Sequence, residues 1–482
     1  MHLSLRQSIP PVGIALTAIL AAALCAAFFL RSDPLMFMGM AGAAAAAYMA
    51  INIGANDVAN NMGPSVGARA LRMGTALAIA ATLEVAGALL AGRGVIKTVS
   101  QDLLSLDPAL PGQTLIFVMI AATLAGALWI NASTFVGAPV STTHAIVGGV
   151  VGAGIAAAGL GAVDWPSVGV IAVSWTLSPV LGGVIAAGLH ALIRRRITRR
   201  QDKIAAARRW VPILIGAMAG TFAVYLQMVF NPFSTNWPAM ALLGFGSGLV
   251  AFLLAKPWAR RQSRGLENRK KQVGRLFRPP LIGAAALLSF AHGANDLANA
   301  VAPLAAILGV LQGGATTPLT TPFWVMLIGA LGIALGILLF GPRVIRTIGE
   351  QITRLNEIRA FCVALSAAIT VLAASALALP VSSTHVAVGA VFGVGFLREY
   401  LAMRNMHGAA VPVQTYAVDA STLNDTPQQA LQRERRGERR FLVRRLKVVR
   451  IGAAWVITLP AAALLAALFY ALLYRFVGFS AA

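Results

Sequence analysis

The chain has 482 residues, 58% hydrophobic and only 11% charged, where a soluble protein carries roughly a quarter charged residues. Its apolar residues fall in runs of about 20, the length a helix needs to cross a hydrocarbon core, so water-soluble classes are excluded. The formal charge of +23 does not mark a nucleic-acid binder either. Segments 194–209, 256–278 and 398–450 hold 8, 9 and 11 of the 39 Lys and Arg, and basic clusters between apolar runs place those segments in the cytoplasm.

In chain order the apolar runs are 13–30, 36–56, 74–91, 114–134, 139–160, 168–193, 211–230, 238–256, 281–311, 322–340, 358–379, 380–397 and 451–475. The sequence thus predicts an all-α polytopic membrane protein with about 12–13 crossing segments. The first run follows Arg6 and is read as a retained anchor helix rather than a cleaved signal peptide. Leu24 before Cys25 spoils a lipoprotein cleavage site. Cys25 and Cys362 lie in apolar stretches and form neither a disulfide framework nor a metal spacing. The basic segments are read as orientation signals, with contact to membrane lipid as the alternative.

Two strings recur. Residues 54–60 read GANDVAN and 293–299 read GANDLAN; residues 139–144 read PVSTTH and 380–385 read PVSSTH. Pro64 and Pro303 follow the first pair at equal distance, Gly92 and Gly341 each open a G-x-x-V-I-x-T string, and Gly148/Gly152 match Gly389/Gly393. A weaker echo sets Trp175 and Pro179 against Trp455 and Pro460, off by one. The chain is therefore read as residues 1–35 (an extra helix), repeat 1 at 36–193, a connector of basic segments and two helices at 194–280, and repeat 2 at 281–482 with a cytosolic insertion at about 398–450.

Charge orients the copies. With 256–278 inside, run 281–311 leads out to an uncharged loop at 312–321, and 322–340 returns to Arg343 and Arg346. In the first copy Arg69 and Arg72 mark the inner end of the motif-bearing run. Equivalent helices then run in opposite senses, with the N-terminus cytoplasmic and the C-terminus outside. Inverted repeats are an architecture of secondary transporters, with sites near the bilayer midplane.

The motifs carry two kinds of chemistry. Asp57 and Asp296 are acids within apolar runs, where an ionised carboxylate costs at least ~2.5–3.5 kcal/mol. With Asn56, Asn60, Asn295 and Asn299 they offer hard oxygen ligands for a small cation, and the Gly and Asn before each Asp are expected to weaken the helix and free backbone carbonyls. Hydrogen-bonded packing is the plainer reading of these acids. The two Pro-Val-Ser strings look like helix starts inside apolar segments: Pro fits the first turn, and Ser or Thr caps it. Two broken or re-entrant hairpins are therefore expected, whose tips present Ser141, Thr142, Thr143, Ser382, Ser383 and Thr384 together with free N–H groups, an arrangement suited to an oxyanion. Ordinary capping at a tight turn is the alternative. His144 and His385 close these strings, as structural residues or as a proton relay or anion contact. Glu84 is a third intramembrane acid, in the first copy only. No Lys or Arg occurs in the four motifs, so an anion beside two aspartates requires cations bound with it.

These paired strings resemble the inorganic phosphate transporter family, which includes sodium–phosphate symporters of animals and fungi and bacterial low-affinity phosphate carriers. The resemblance covers the chain from residue 36. It implies phosphate uptake by cation symport through the inner membrane of a bacterium, with Asp57 and Asp296 at the cation sites and phosphate among Ser141–Thr143 and Ser382–Thr384. Two intact GAND motifs favour Na⁺ over H⁺, and no other cofactor is implied. Run 13–30 precedes the family's usual core, and the connector 257–280 is short beside that of animal relatives. Sulfate or another oxyanion is the alternative cargo. An anion channel would explain the hydroxyls without coupling. An intramembrane aspartyl protease would explain the paired acids but not the two Ser/Thr-rich helix starts. Whether the chain forms a homodimer is left open.

Overall fold

The computed structural model describes residues 5–105, 111–136, 140–231, 236–312, 321–349, 355–408 and 445–477. Among them are fourteen α-helices and no strand beyond one isolated bridge between Leu104 and Val163. The helices are α1 (Leu5–Phe29), α2 (Met36–Gly67), α3 (Met73–Ala91), α4 (Arg93–Gln101), α5 (Gly112–Phe135), α6 (Thr142–Ala158) and α7 (Trp165–Ile193). They continue with α8 (Lys203–Phe230), α9 (Trp237–Gln262), α10 (Lys270–Leu311), α11 (Phe323–Gly349), α12 (Glu357–Ala376), α13 (Ser383–Gly408) and α14 (Arg445–Phe476). Twelve are long and apolar enough to cross a membrane. The expected crossing at 139–160 is shorter: α6 has 17 residues, about 25 Å. Much of the insertion at 398–450, the loop at 312–321 and the C-terminal end fall outside the described residues.

Capping explains several boundaries. Ser141 accepts from the His144 N–H at the start of α6, Asp164 from Ser167 at α7, Asp202 from Ala205 at α8 and Asn356 from Arg359 at α12. Each oxygen satisfies an N–H with no partner inside its helix.

The structure corrects three expectations about helix ends. The helices α2 and α10 run unbroken through both GAND strings, so those strings do not interrupt the backbone. Residues Gly54 and Gly293 serve close approach instead: a Cβ at either would strike the backbone of Ile333 or Glu84. The basic segments, expected as loops, are largely helical. Helix α9 reaches Gln262 and α10 starts at Lys270, since Lys and Arg favour helix once a crossing helix has nucleated it. Likewise α13 extends to Gly408, beyond the expected insertion boundary at 398. Copy two also lacks a break present in copy one: Gly92 separates α3 from α4, whereas α11 passes through Gly341.

Helix pairing repeats across the copies. Gly332 and Gly341 of α11 pack beside Ala50 and Val58 of α2, so these two helices run parallel. Gly87 of α3 and Gly92 just beyond it meet Phe290 and Leu297 of α10 in the same sense. Gly148 and Gly152 of α6 lie on Leu459 and Ala463 of α14, just as Gly389 and Gly393 of α13 lie on Pro179 and Gly183 of α7. The first helix, α1, packs on α2, with Leu30 against Gly39 and Phe29 stacked on Trp324.

Candidate functional site

The hairpins α5–α6 and α12–α13 bring their tips together between α2 and α10. The Thr143 hydroxyl donates to the Val381 carbonyl at 3.1 Å, and the Thr384 hydroxyl lies 3.5 Å from that of Val140. Ser382 caps α13 through the His385 N–H, as Ser141 caps α6. All six tip hydroxyl residues are buried, as are both Asp and all four motif Asn.

The tips also bond to the GAND strings, within and between copies. Thr142 donates to Asp57 at 3.2 Å and Ser383 to Asp296 at 3.0 Å. Across copies, Asn60 donates to Thr384 at 2.8 Å and Asn299 to Thr143 at 3.1 Å. Thr384 donates to Asp57 at 2.9 Å. Asn56 reaches Thr134, while Asn295 reaches Ser375 and accepts from the Val381 N–H. Each hairpin is thus tied to both motif-bearing helices.

His292, which the sequence reading did not single out, sits at the centre of the acids. Its Nδ1 lies 2.7 Å from Glu84 and its Nε2 2.9 Å from Asp296 and 3.6 Å from Asp57. All four side chains are fully buried. Asn61, also unforeseen, donates to the other oxygen of Glu84 at 2.8 Å. One imidazole is therefore shared by three carboxylates in a low-dielectric setting, where like charges repel strongly unless cations or protons accompany them. Glu84, considered only as an accessory, is wired directly to this cluster. The signal that could have found His292 is the repeat itself: the residue before GAND is His292 in copy two and Ile53 in copy one.

Several buried oxygens have no protein partner among the described residues: Oδ1 of Asn56, Asn61, Asp296 and Asn299. Buried polar atoms are rarely left so, and carbonyl and carboxylate oxygens are the ligand type hard cations use. Asp57, His292 and Asp296 each place a donor atom within 4.8 Å of the others. The residues fit a small cation through oxygens, and His292 adds a nitrogen at the edge of the set. A cavity of about 440 Å³, lined by Asn52, Asn131, Thr134, Arg343 and residues of α1, extends to Asn56.

His144 and His385 lie beside each other, their rings 4.6 Å apart, each tilted over a Trp (Trp175 and Trp455) at 3.8 Å. Nδ1 of His144 is 2.7 Å from Ser141 Oγ, whereas Nε2 of His385 has no partner among the described residues.

A helical protein with twelve helices long and apolar enough to cross a membrane among the described residues, and a buried, hydroxyl- and carboxylate-lined centre between two hairpins, has the form of a membrane transport protein. The profile of the phosphate transporter family matches residues 53–466, and the chain belongs to that family. A Helicobacter pylori (strain 26695) protein named "Putative phosphate permease" is 46% identical over 404 residues, covering 82% of this chain and 76% of its own. A Thermococcus kodakarensis protein of like name is 38% identical over 354 residues, covering 73% and 86%. A solved structure named "The sodium-dependent phosphate transporter" superposes with a TM-score of 0.78 at 32% identity, covering 91% of this chain and 99% of that one. The chain is an integral membrane protein of phosphate transport and not an enzyme.

Proposed function

We propose that this chain takes up inorganic phosphate by Na⁺ symport, through alternating access of two opposed hairpins in an inverted repeat. One observation carries the reading: both hairpin tips and both GAND aspartates meet in one buried cluster that contains unpartnered oxygens and no Lys or Arg. Phosphate binds the converging starts of α6 and α13, through N–H groups and the hydroxyls of Ser141, Thr142, Thr143, Ser382, Ser383 and Thr384. Na⁺ binds oxygens of Asn56, Asp57, Asn60, Asn295, Asp296 and Asn299 and offsets the repulsion between phosphate and the carboxylates. Phosphate beside the carboxylates is unfavourable unless Na⁺ is bound with it, which couples the two. The parallel pairings of α2 with α11 and α3 with α10 support the inverted repeat, because they make α2 and α10 antiparallel if α10 and α11 form a hairpin.

The superposed structure is named for a sodium-dependent transporter, which favours Na⁺ as the coupling ion here. The basic segments assign the N-terminus to the cytoplasm, and the membrane is the bacterial inner membrane. The test is uptake of labelled phosphate into proteoliposomes under an imposed Na⁺ or H⁺ gradient, with sulfate as competitor. Accumulation driven by Na⁺ and indifferent to sulfate is expected. Equal accumulation from a proton gradient in Na⁺-free buffer overturns the coupling assignment, and inhibition by equimolar sulfate overturns the choice of anion.

A further inference from the structure

Away from the transport site, the end of α7, the starts of α10 and α12 and a stretch of α13 line a half-open cavity of about 320 Å³. Its walls include His190 of α7, Arg194 just beyond it, Lys270 at the start of α10, Asn356 and Arg359 at the start of α12, and Arg398 of α13. It shares no lining residue with the hairpin tips. No carboxylate is among its described lining residues, and none of the four cations lies within ion-pair distance of a described Asp or Glu.

This differs from the other basic positions on the same face. Most Lys and Arg at helix ends splay into water, where mutual repulsion is screened. Here four cations from four parts of the fold converge, and Arg194, Arg359 and Arg398 are only partly exposed. All four act electrostatically on the one imidazole of His190. Asn356 fixes Arg359, accepting from its Nε at 2.9 Å while it caps α12. The guanidinium is thus positioned beside a helix N-terminus, whose positive end adds to the field. Like charges held together in this way call for an anion between them.

We propose that this cavity is a second anion site, distinct from the transport site, which takes a phosphate group. Guanidinium forks match phosphate oxygens in pairs, and the volume is about ten times a water's share of the liquid, roughly 30 Å³. A phosphate group and part of its substituent fit, as does hydrated free phosphate. Basic pockets between helices at a membrane face hold lipid headgroups in this manner, so the two sources are a phospholipid headgroup and inorganic phosphate. An anion held here links α12 and α13, one whole hairpin, to α7 and α10.

The experiment uses the purified full chain in neutral detergent, with short-chain phosphatidylglycerol, short-chain phosphatidylcholine and inorganic phosphate as probes. Binding is read by thermal shift and by isotherms at fixed salt. Lys270→Gln combined with Arg398→Gln is expected to weaken one anionic probe roughly thirtyfold and to leave phosphatidylcholine, whose choline cation cancels the charge of its phosphate, unchanged. A loss confined to phosphatidylglycerol assigns the site to lipid. Loss of a second class of inorganic phosphate site, with phosphatidylglycerol unaffected, assigns it to free phosphate. If the double variant does not elute as wild type, Lys270→Gln alone decides, because Lys270 is exposed; a roughly fivefold loss is then expected. Binding of both anionic probes, phosphatidylglycerol and inorganic phosphate, within twofold of wild type, in variants that elute normally, overturns the proposal.

Discussion

The surroundings of Asp57 and Asp296 differ although the strings that carry them are nearly identical. Asp57 receives the hydroxyls of Thr142 and Thr384 and lies 3.2 Å from the Asn60 amide. Asp296 meets Ser383 and His292 on one oxygen and keeps the other without a partner among the described residues. The acids beyond them differ more. Copy one contributes Glu84 where copy two has Ile333, and copy two contributes His292 where copy one has Ile53. The two halves share matching contacts around the acids, but the buried imidazole and the third carboxylate each occur in only one of them. If the two aspartates hold cations as proposed, the sites are not equivalent: both oxygens of Asp57 meet protein donors, whereas Asp296 has an oxygen to spare.

The largest effect expected is from Asp57→Asn. It removes a charge that accepts from both hairpins, so loss of Na⁺-driven phosphate accumulation by at least a hundredfold is expected, from two or more charge-assisted bonds worth about 1.5–3 kcal/mol each. Asp296→Asn should also lose concentrative uptake while keeping more of the wild-type thermal stability, because two contacts on one oxygen rather than three spread over both are disturbed. Proteoliposome uptake alongside melting in detergent checks both. Wild-type accumulation by either variant removes that aspartate from the cation site.

Next comes the pair that breaks the symmetry. His292→Ile restores the copy-one residue but leaves Glu84, Asp57 and Asp296 without their shared imidazole. Removing one partner of a buried charged group costs about 3–5 kcal/mol, so a clear fall in melting temperature is expected. Adding Glu84→Ile should recover part of that loss, since the unpaired carboxylate goes with its partner. A double-mutant cycle with no coupling between positions 84 and 292 would show that the 2.7 Å contact is energetically idle.

The part of this site that could be read in the sequence was what the duplication preserved. Both hairpin starts and the six hydroxyl positions follow from strings present twice, and the crossing helices from the length of the apolar runs. His292 escaped because it appears once, and a single polar residue in an apolar run has no local signature of its partners. Asn61 escaped for the same reason. The cross-copy bonds from Asn60 to Thr384 and from Asn299 to Thr143 depend on how the hairpins dock, which no local pattern encodes. The expected backbone break at GAND did not form. Once a long helix is packed on both sides, the propensity penalty of one Gly, roughly 1 kcal/mol, is too small to open it.

A smaller effect separates the tip threonines. Thr384 donates to Asp57 and accepts from Asn60, whereas Thr143 donates to a backbone carbonyl and accepts from Asn299. Thr384→Val therefore loses a bond to a charged group and Thr143→Val only a neutral one. The half-saturating phosphate concentration should rise about tenfold or more in the first and severalfold in the second. Equal shifts would mean that the hydroxyls act on phosphate alone and that their link to the aspartate is incidental.

The smallest difference concerns the two tryptophans behind the histidines. Trp175 and Trp455 hold equivalent stacked positions, both 3.8 Å from their imidazoles. Only Trp175 is also bonded to the opposite hairpin: its Nε1 donates to the Pro380 carbonyl at 3.1 Å, immediately before the second tip. Nε1 of Trp455 is buried without a partner among the described residues. Phenylalanine keeps an aromatic face for either histidine but removes the indole N–H. Trp175→Phe should then leave the Pro380 carbonyl unpaired and loosen the tip, raising the half-saturating phosphate concentration about two- to tenfold, as loss of one neutral bond allows. Trp455→Phe gives up a donor that was not in use, so a change under twofold is expected. Phosphate titrations of uptake on both variants decide it. A larger shift from Trp455→Phe would mean that stacking on His385, rather than the bond to Pro380, holds the tips in register, and the copies would then differ in the opposite sense from that argued for their aspartates.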